Sequence, residues 1–302
     1  VLTAAVVVAA IAGYLLGHGR AHSATNERIL TASADGVLLN YPSSWSTAAT
    51  LPEVPGLTLT QPFALAPGGD SAKAGLIAGR LAGGEPSPLP QTLVALLHQA
   101  PLTEVVNLLG NQAYRYSHVS VTGFPHALTL YAIPNPTGSG TALACYASSP
   151  LATDMLTCEH IATTLTLVDQ SQSYDLTPDP TYARELSAAI TTLDHLRVAL
   201  RGEMGAGATR AALRQNAKRL AAAFASTAAS LAPLQPTLAV NAADSALSAS
   251  VLRARAAYAT LAAAAQTEDT VRLTSARRKV YEAEASVDSA LESFALLGYK
   301  QS

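Results

Sequence analysis

The sequence predicts an α+β domain, an antiparallel sheet with flanking helices, followed by an all-α up-down four-helix bundle, both behind an N-terminal transmembrane helix. Three observations predict it: an uncharged apolar run at the start, short apolar runs punctuated by Gly and Pro to about residue 169, and long stripes of apolar residues spaced three and four apart beyond residue 180. Charged residues make up 13% of the 302, against roughly 25% in typical globular domains. The net charge of −2 provides no global basic field to draw in nucleic acid.

Val1–Leu16 carries no charge. As a helix it would span about 24 Å, slightly short of the roughly 30 Å of a bilayer core. Residues 1–20 read as a single-pass anchor, with 21–34 as linker. A cleaved signal peptide, with small residues at Ala21-His22-Ser23, and a buried core helix are the alternatives. Arg20 favours a cytoplasmic downstream side; a basic flank upstream of Val1 would outvote it. The expected location is the cell membrane, with the soluble domains on the extracytoplasmic side.

Residues 35–169 read as mixed α and β. Val37–Tyr41, Leu57–Gln61, Ala74–Leu81, Val105–Leu109, Ala113–Ser117, Ala127–Ile133 and Thr141–Ala147 carry the strand signal. The turn residues Asn135–Gly140 join the last two into a hairpin. Helices are expected over Pro90–Gln99 and Leu151–Leu165. Cys145 and Cys158 are the two cysteines, and no CxxC or Cys/His cluster suggests zinc. Downstream of an export-like segment, the pair reads as one disulfide formed in an oxidising compartment, pinning the last helix to the last strand. Two independent buried thiols are the alternative.

Composition shifts near residue 175. Residues 1–174 hold five Lys/Arg and nine Asp/Glu, whereas residues 175–302 hold fourteen and twelve. Residues 170–180 are the expected linker and 181–300 the bundle. One stripe runs through Leu186, Ile190, Leu193 and Leu200, and a second through Leu213, Ala217, Leu220, Phe224, Thr227 and Leu231. A third contains Leu247, Val251, Ala254, Tyr258, Leu261 and Ala265, and a fourth Ala276, Val280, Ala283, Val287, Leu291 and Phe294. These are four amphipathic helices. Asp179-Pro180 suits an N-cap and first turn; Gly202–Gly207, and Pro233 with Pro236, separate helices. Thr267, followed by Glu268 and Asp269, is the expected cap of the last helix. Short connections make neighbouring helices antiparallel.

Gly36–Trp45 (GVLLNYPSSW) and Cys158–Leu167 (CEHIATTLTL) resemble the opening strand with its Pro-x-x-Trp turn and the closing helix of PsbP-like domains, found in exported bacterial lipoproteins and photosystem accessory proteins. The resemblance covers about residues 35–169 and leaves the helical part outside. It implies an antiparallel sheet with helices packed on it and no activity, since that superfamily consists mostly of non-catalytic accessory and binding proteins.

No GxSxG elbow, P-loop, HExxH or EF-hand loop occurs. Ser139 reads as a turn residue, and Gly202, Gly205 and Gly207 as a helix break. Asp154, Glu159 and His160 are a conceivable metal or acid–base group, with a solvated helix face as the plainer reading. Asp194-His195 points about 100° apart on a helix and makes a poor ligand pair. Arg272, Arg277, Arg278 and Lys279, echoed by Arg210, Arg214, Lys218 and Arg219, read as a solvated face paired with Glu282, Glu284, Asp288 and Glu292; anionic envelope polymer or lipid is the sharper alternative. No catalytic, cofactor or metal residue is assigned. The leading expectation is a non-catalytic binding protein of the cell envelope, with a protein partner or self-association through the bundle. The alternatives are an enzyme whose site gathers several of His98, His118, His126 and His160 with a carboxylate, and an oligomerising stalk.

Overall fold

The computed structural model describes residues 27–81, 87–135, 140–168, 175–205 and 207–299. The expected anchor therefore lies outside the described residues, as does Ser139. Among the described residues no helix is long and apolar enough to cross a membrane.

Among the described residues, two antiparallel sheets and six helices make up the fold. β1 (Ile29–Ala34), β2 (Val37–Pro42) and β10 (Thr166–Leu167) form a three-stranded sheet in the order β1-β2-β10. The larger sheet comprises β3 (Trp45–Thr47), β4 (Leu59–Pro67), β5 (Gly75–Leu81), β6 (Leu102–Leu108), β7 (Asn111–Val119), β8 (Ala127–Pro134) and β9 (Gly140–Ala147). Its order is β3-β4-β5-β9-β8-β7-β6. The short α1 (Gln91–Val94) and α2 (Thr153–Thr163) belong to this part. α3 (Pro180–Glu203), α4 (Arg210–Leu231), α5 (Asn241–Ala264) and α6 (Thr270–Leu296) form the helical region.

Both faces of the larger sheet are covered, and the period-2 geometry of a strand sorts its side chains between them. On β8, Leu130 and Ala132 join the cluster shared with the helical region, while Tyr131 and Ile133 join the cluster under α2. On β9, Ala144 and Tyr146 join the first cluster, Tyr146 packing on Phe124 and His126, and Leu143, Cys145 and Ala147 join the one under α2. This explains why β8 and β9 read as continuous apolar runs rather than alternating ones. The lone Trp45 packs beneath α2 with Val37, Leu39 and Tyr41.

Cys145 on β9 and Cys158 on α2 form a disulfide across a Cα separation of 5.7 Å. It pins α2 to the sheet, as expected. Glu159 reinforces this, accepting from Arg115 of β7 at 2.8 Å, and the Thr164 hydroxyl exchanges bonds with the backbone of Asn40 on β2.

The four apolar stripes face inward; of their residues only Val280 is not fully buried. Asp179 caps α3, accepting from the backbone of Thr181 and Tyr182 at 2.7 and 2.9 Å, with Pro180 in the first turn.

Several elements depart from expectation. Ile29–Ala34, expected as linker, is β1, fully paired with β2. Its residues alternate between exposed and half-buried, so they carry little apolar signal. The signal that was present is Asp35-Gly36, a hairpin turn dipeptide whose φ values of 47° and 75° L-residues other than Asn and Asp rarely adopt. The strand expected over Leu57–Gln61 instead runs Leu59–Pro67, bending through a bulge at Gln61 and Pro62, where proline cannot donate to the ladder.

The helix expected over Pro90–Gln99 stops at Val94. The chain beyond it turns to pair with Ser120–Thr122, with His98 N bonding Ser120 O at 3.1 Å and Thr122 N bonding Leu96 O at 2.9 Å. Thr267 is not the cap of α6: its hydroxyl donates to Ala264 O, finishing α5. Asp269 takes the role, accepting from Val271 and Arg272 at 2.9 Å each, because only its side chain reaches both orphan N–H groups.

Reduction of the Cys145–Cys158 bridge is expected to lower the unfolding free energy by about 3 kcal/mol, from loop-closure entropy; urea melts of the intact and the Cys145→Ala/Cys158→Ala proteins check this. Asp269→Ala should cost about 1 kcal/mol in the same measurement.

Candidate functional site

The sheet and the helical region meet over one continuous apolar cluster. Its centre is aromatic. Tyr182 at the start of α3 stacks on Phe294 near the end of α6 at 6.3 Å, and Tyr299 lies edge-on to both, at 5.7 and 5.9 Å. Polar bonds hold the seam. The Tyr116 hydroxyl of β7 donates to Leu296 O at 2.8 Å, Leu176 N donates to the Gln112 side chain at 2.6 Å, and Asp179 N donates to the Tyr299 hydroxyl at 3.2 Å. Burial pushes the Tyr116 hydroxyl pKa well above its ordinary value.

Where β6 begins, the seam opens into a cleft of about 620 Å³. Pro101, Leu102 and Thr103 form one wall. Asp194 and Arg197 of α3 and Asp288, Leu291, Glu292 and Ala295 of α6 form the other, with Gly298 and Tyr299 closing it.

Behind the cleft lies a buried ion cluster joining α3 to α6. Arg197 is 5% exposed and Glu284 6%. The Arg197 guanidinium donates from Nε to Glu284 at 2.8 Å, from Nη2 to Glu284 and Asp288 at 2.5 Å each, and from Nη1 to Asp194 at 2.7 Å. Arg201 also pairs with Glu284, and the Tyr258 hydroxyl of α5 donates to its other oxygen at 2.6 Å. Burial pulls the Arg197 pKa down, but bonds from Asp288 and Asp194 and their charge outweigh this and hold it above its ordinary value. A buried ion pair adds little net stability over an apolar pair, yet breaking it by removing one partner strands a charge.

The sequence placed Glu284 and Asp288 on a solvated face and passed over Arg197. That reading of Glu284 is corrected by its burial. The signal was available: Arg197 continues the stripe Leu186, Ile190, Leu193, Leu200 at the missing step, and Glu284 lies one turn before Val287. A charge at a core position needs a partner at another.

The remaining candidates are dispersed. His98, His118, His160 and His195 are exposed and His126 is half-buried. His98 meets the Ser120 hydroxyl at 3.0 Å, and His126 packs its ring against Phe124 and Tyr146. Asp154 is exposed, while Glu159 is spent on Arg115. Among the described residues no group of three His, Cys, Asp or Glu could hold a metal ion. Asp194 turns to Arg197 rather than to His195. Gly202 and Gly205 lie at the end of α3. Arg272, Arg277, Arg278 and Lys279 are exposed, with loose pairs from Arg272 to Asp269 and from Arg278 to Glu282 at 3.8 and 3.6 Å. Lys218 and Arg219 are exposed too, and Arg210 bonds the Thr267 carbonyl.

No protein-family model matches the chain, and no curated protein matches it. Among solved structures it is similar to the cyanobacterial PsbP (CyanoP) of Synechocystis sp. PCC 6803, with 11% identity and a TM-score of 0.32 over 49% of this chain and 98% of that one.

Arg197→Met is expected to destabilise the protein by about 1.5–3 kcal/mol, because Glu284 loses its charged hydrogen bonds from Arg197 and keeps only Arg201 and the Tyr258 hydroxyl. Arg197→Met combined with Glu284→Leu should recover most of that loss. Urea unfolding of the single and double variants gives the coupling.

Proposed function

We propose that this chain is a membrane-anchored, extracytoplasmic binding protein of the cell envelope that works without catalysis. In this reading residues 35–169 are a PsbP-like domain of the exported type, and 181–300 an up-down four-helix bundle docked on its sheet. The observation that carries the proposal is the cleft at the joint of the two parts. Its charged walls are largely committed to one another, as Arg197 spends its donors on Asp194, Glu284 and Asp288. Such a set is preorganised to present a shaped surface, as recognition requires, rather than to supply a free base or nucleophile. The disulfide supports an oxidising compartment, and the apolar run Val1–Leu16 supports the anchor.

The other readings draw less support. Exposed histidines on separate elements do not favour an enzyme assembled around them. The apolar stripes of the helices face inward, which leaves a stalk little to oligomerise with.

In cells, the chain is expected to sediment with membranes, to be digested by protease added outside, and to show no free thiol when denatured without reductant. Crosslinking in intact cells should capture a protein partner. Protection from external protease, or two free thiols, would count against the location; a chain captured only with itself, or not at all, would count against the binding role.

A further inference from the structure

We propose that the cleft takes an extended, basic segment of a partner protein, laid along the open edge of β6. This rests on the binding role above and names the chemistry of the partner.

Three observations converge. β6 is the last strand of the larger sheet and pairs with β7 alone. One row of its N–H and C=O groups therefore faces away from the ladder, a template for a further strand. Folded proteins commonly cover or block such an edge. Here its first residues, Leu102 and Thr103, instead line a cleft, and Leu102 is 55% exposed.

The cleft is also elongated. A second hollow of about 200 Å³ adjoins it, bounded by Val94 and Leu97 and sharing Pro101, Glu292 and Ala295. Together they make a groove whose walls are apolar in the smaller hollow and mixed apolar and charged in the larger, which suits a chain in extended conformation better than a compact ligand.

The groove is acidic. Asp194, Asp288 and Glu292 face a single Arg197. Since Arg197 is enclosed by its own carboxylates, its charge is neutralised within the wall. Glu292 is exposed and makes no ion pair among the described residues. It stands where the two hollows meet, positioned to accept a Lys or Arg of the incoming segment. This field repels anionic lipid headgroups and polyanions and favours a cationic partner. The strand edge favours a polypeptide over a small polyamine. β1, β3 and β10 are the other edge strands among the described residues, but neither hollow borders them.

The test uses the full chain and two capped heptapeptides, one alternating valine with lysine and one alternating valine with glutamate. Titration calorimetry should show the lysine peptide binding at least roughly tenfold more tightly, and more weakly as salt rises. Amide hydrogen exchange should slow along β6 in the complex. Glu292→Lys should weaken the lysine peptide about tenfold, and Glu292→Gln by less, with unfolding curves unchanged because the side chain is exposed and unpaired. Equal affinity for both peptides, no binding, or slowed exchange at β1 rather than β6 would overturn the proposal. Displacement by spermine with no change at β6 would also overturn it, in favour of a polycation site. If these fail while crosslinking in cells still captures a partner, this site falls and the binding role stands; if the peptides bind but external protease spares the chain, the location falls and the site stands.

Discussion

The central strands β8 and β9 are buried on both faces, and that burial organises the rest of the chain. A strand interior can satisfy its backbone polar groups only through the ladder, so β9 must sit between β5 and β8, and β8 between β9 and β7. Each face then needs its own apolar cover. α2 and the smaller sheet cover one face, with the Cys145–Cys158 bridge fixing the distance between α2 and β9. The residues around α1, with Val54, Val121 and Phe124, pack on the other, and the helical region joins them at the β6–β7 end. One apolar cluster runs from Leu130 and Tyr146 to Phe294 and Tyr299, so the end of the helical region is continuous with the sheet's core.

This has an energetic consequence at the joint. Tyr116 is wholly buried, so its hydroxyl must find a partner, and it uses a carbonyl at the end of α6. The Asp179 cap works in two directions: its carboxylate receives the first N–H groups of α3, while its own N–H reaches Tyr299 beyond α6. The start of the helical region is thereby tied to its end, next to the sheet. The ion cluster of Arg197 and Glu284 ties α3 to α6 farther along. Specific polar pairs of this kind do little for total stability but penalise other registers of the helices, where each charge would be stranded.

The legibility of the chain followed the strength of its periodic signals. The four long helices could be read because three of their stripes carry six positions each and the first carries four, and the hairpin of β8 and β9 because turn residues separate two apolar runs. β1, β3 and β10 were not foreseen. β1 is half exposed and weakly apolar, and β10 spans only two residues, so its identity rests on its pairing with Val37 and Leu38. The helix over Pro90–Gln99 was overestimated because Leu93, Leu96 and Leu97 fit a helical pattern equally well, and only the presence of Ser120–Thr122 alongside drew the later residues away.

By itself, the sequence determined the four long helices and most of the strands of the larger sheet, where composition divides them, and that Cys145 and Cys158 lie within reach across one strand–helix connection. These follow from local periodicity, capping residues and short sequence separation. The tertiary structure alone decided that the helical region shares one apolar cluster with the sheet, that Arg197 meets Glu284 eighty-seven residues away, and that a cleft opens at the start of β6. Those features arise between elements distant in the chain, where packing and the cost of an unpaired buried charge select the partners.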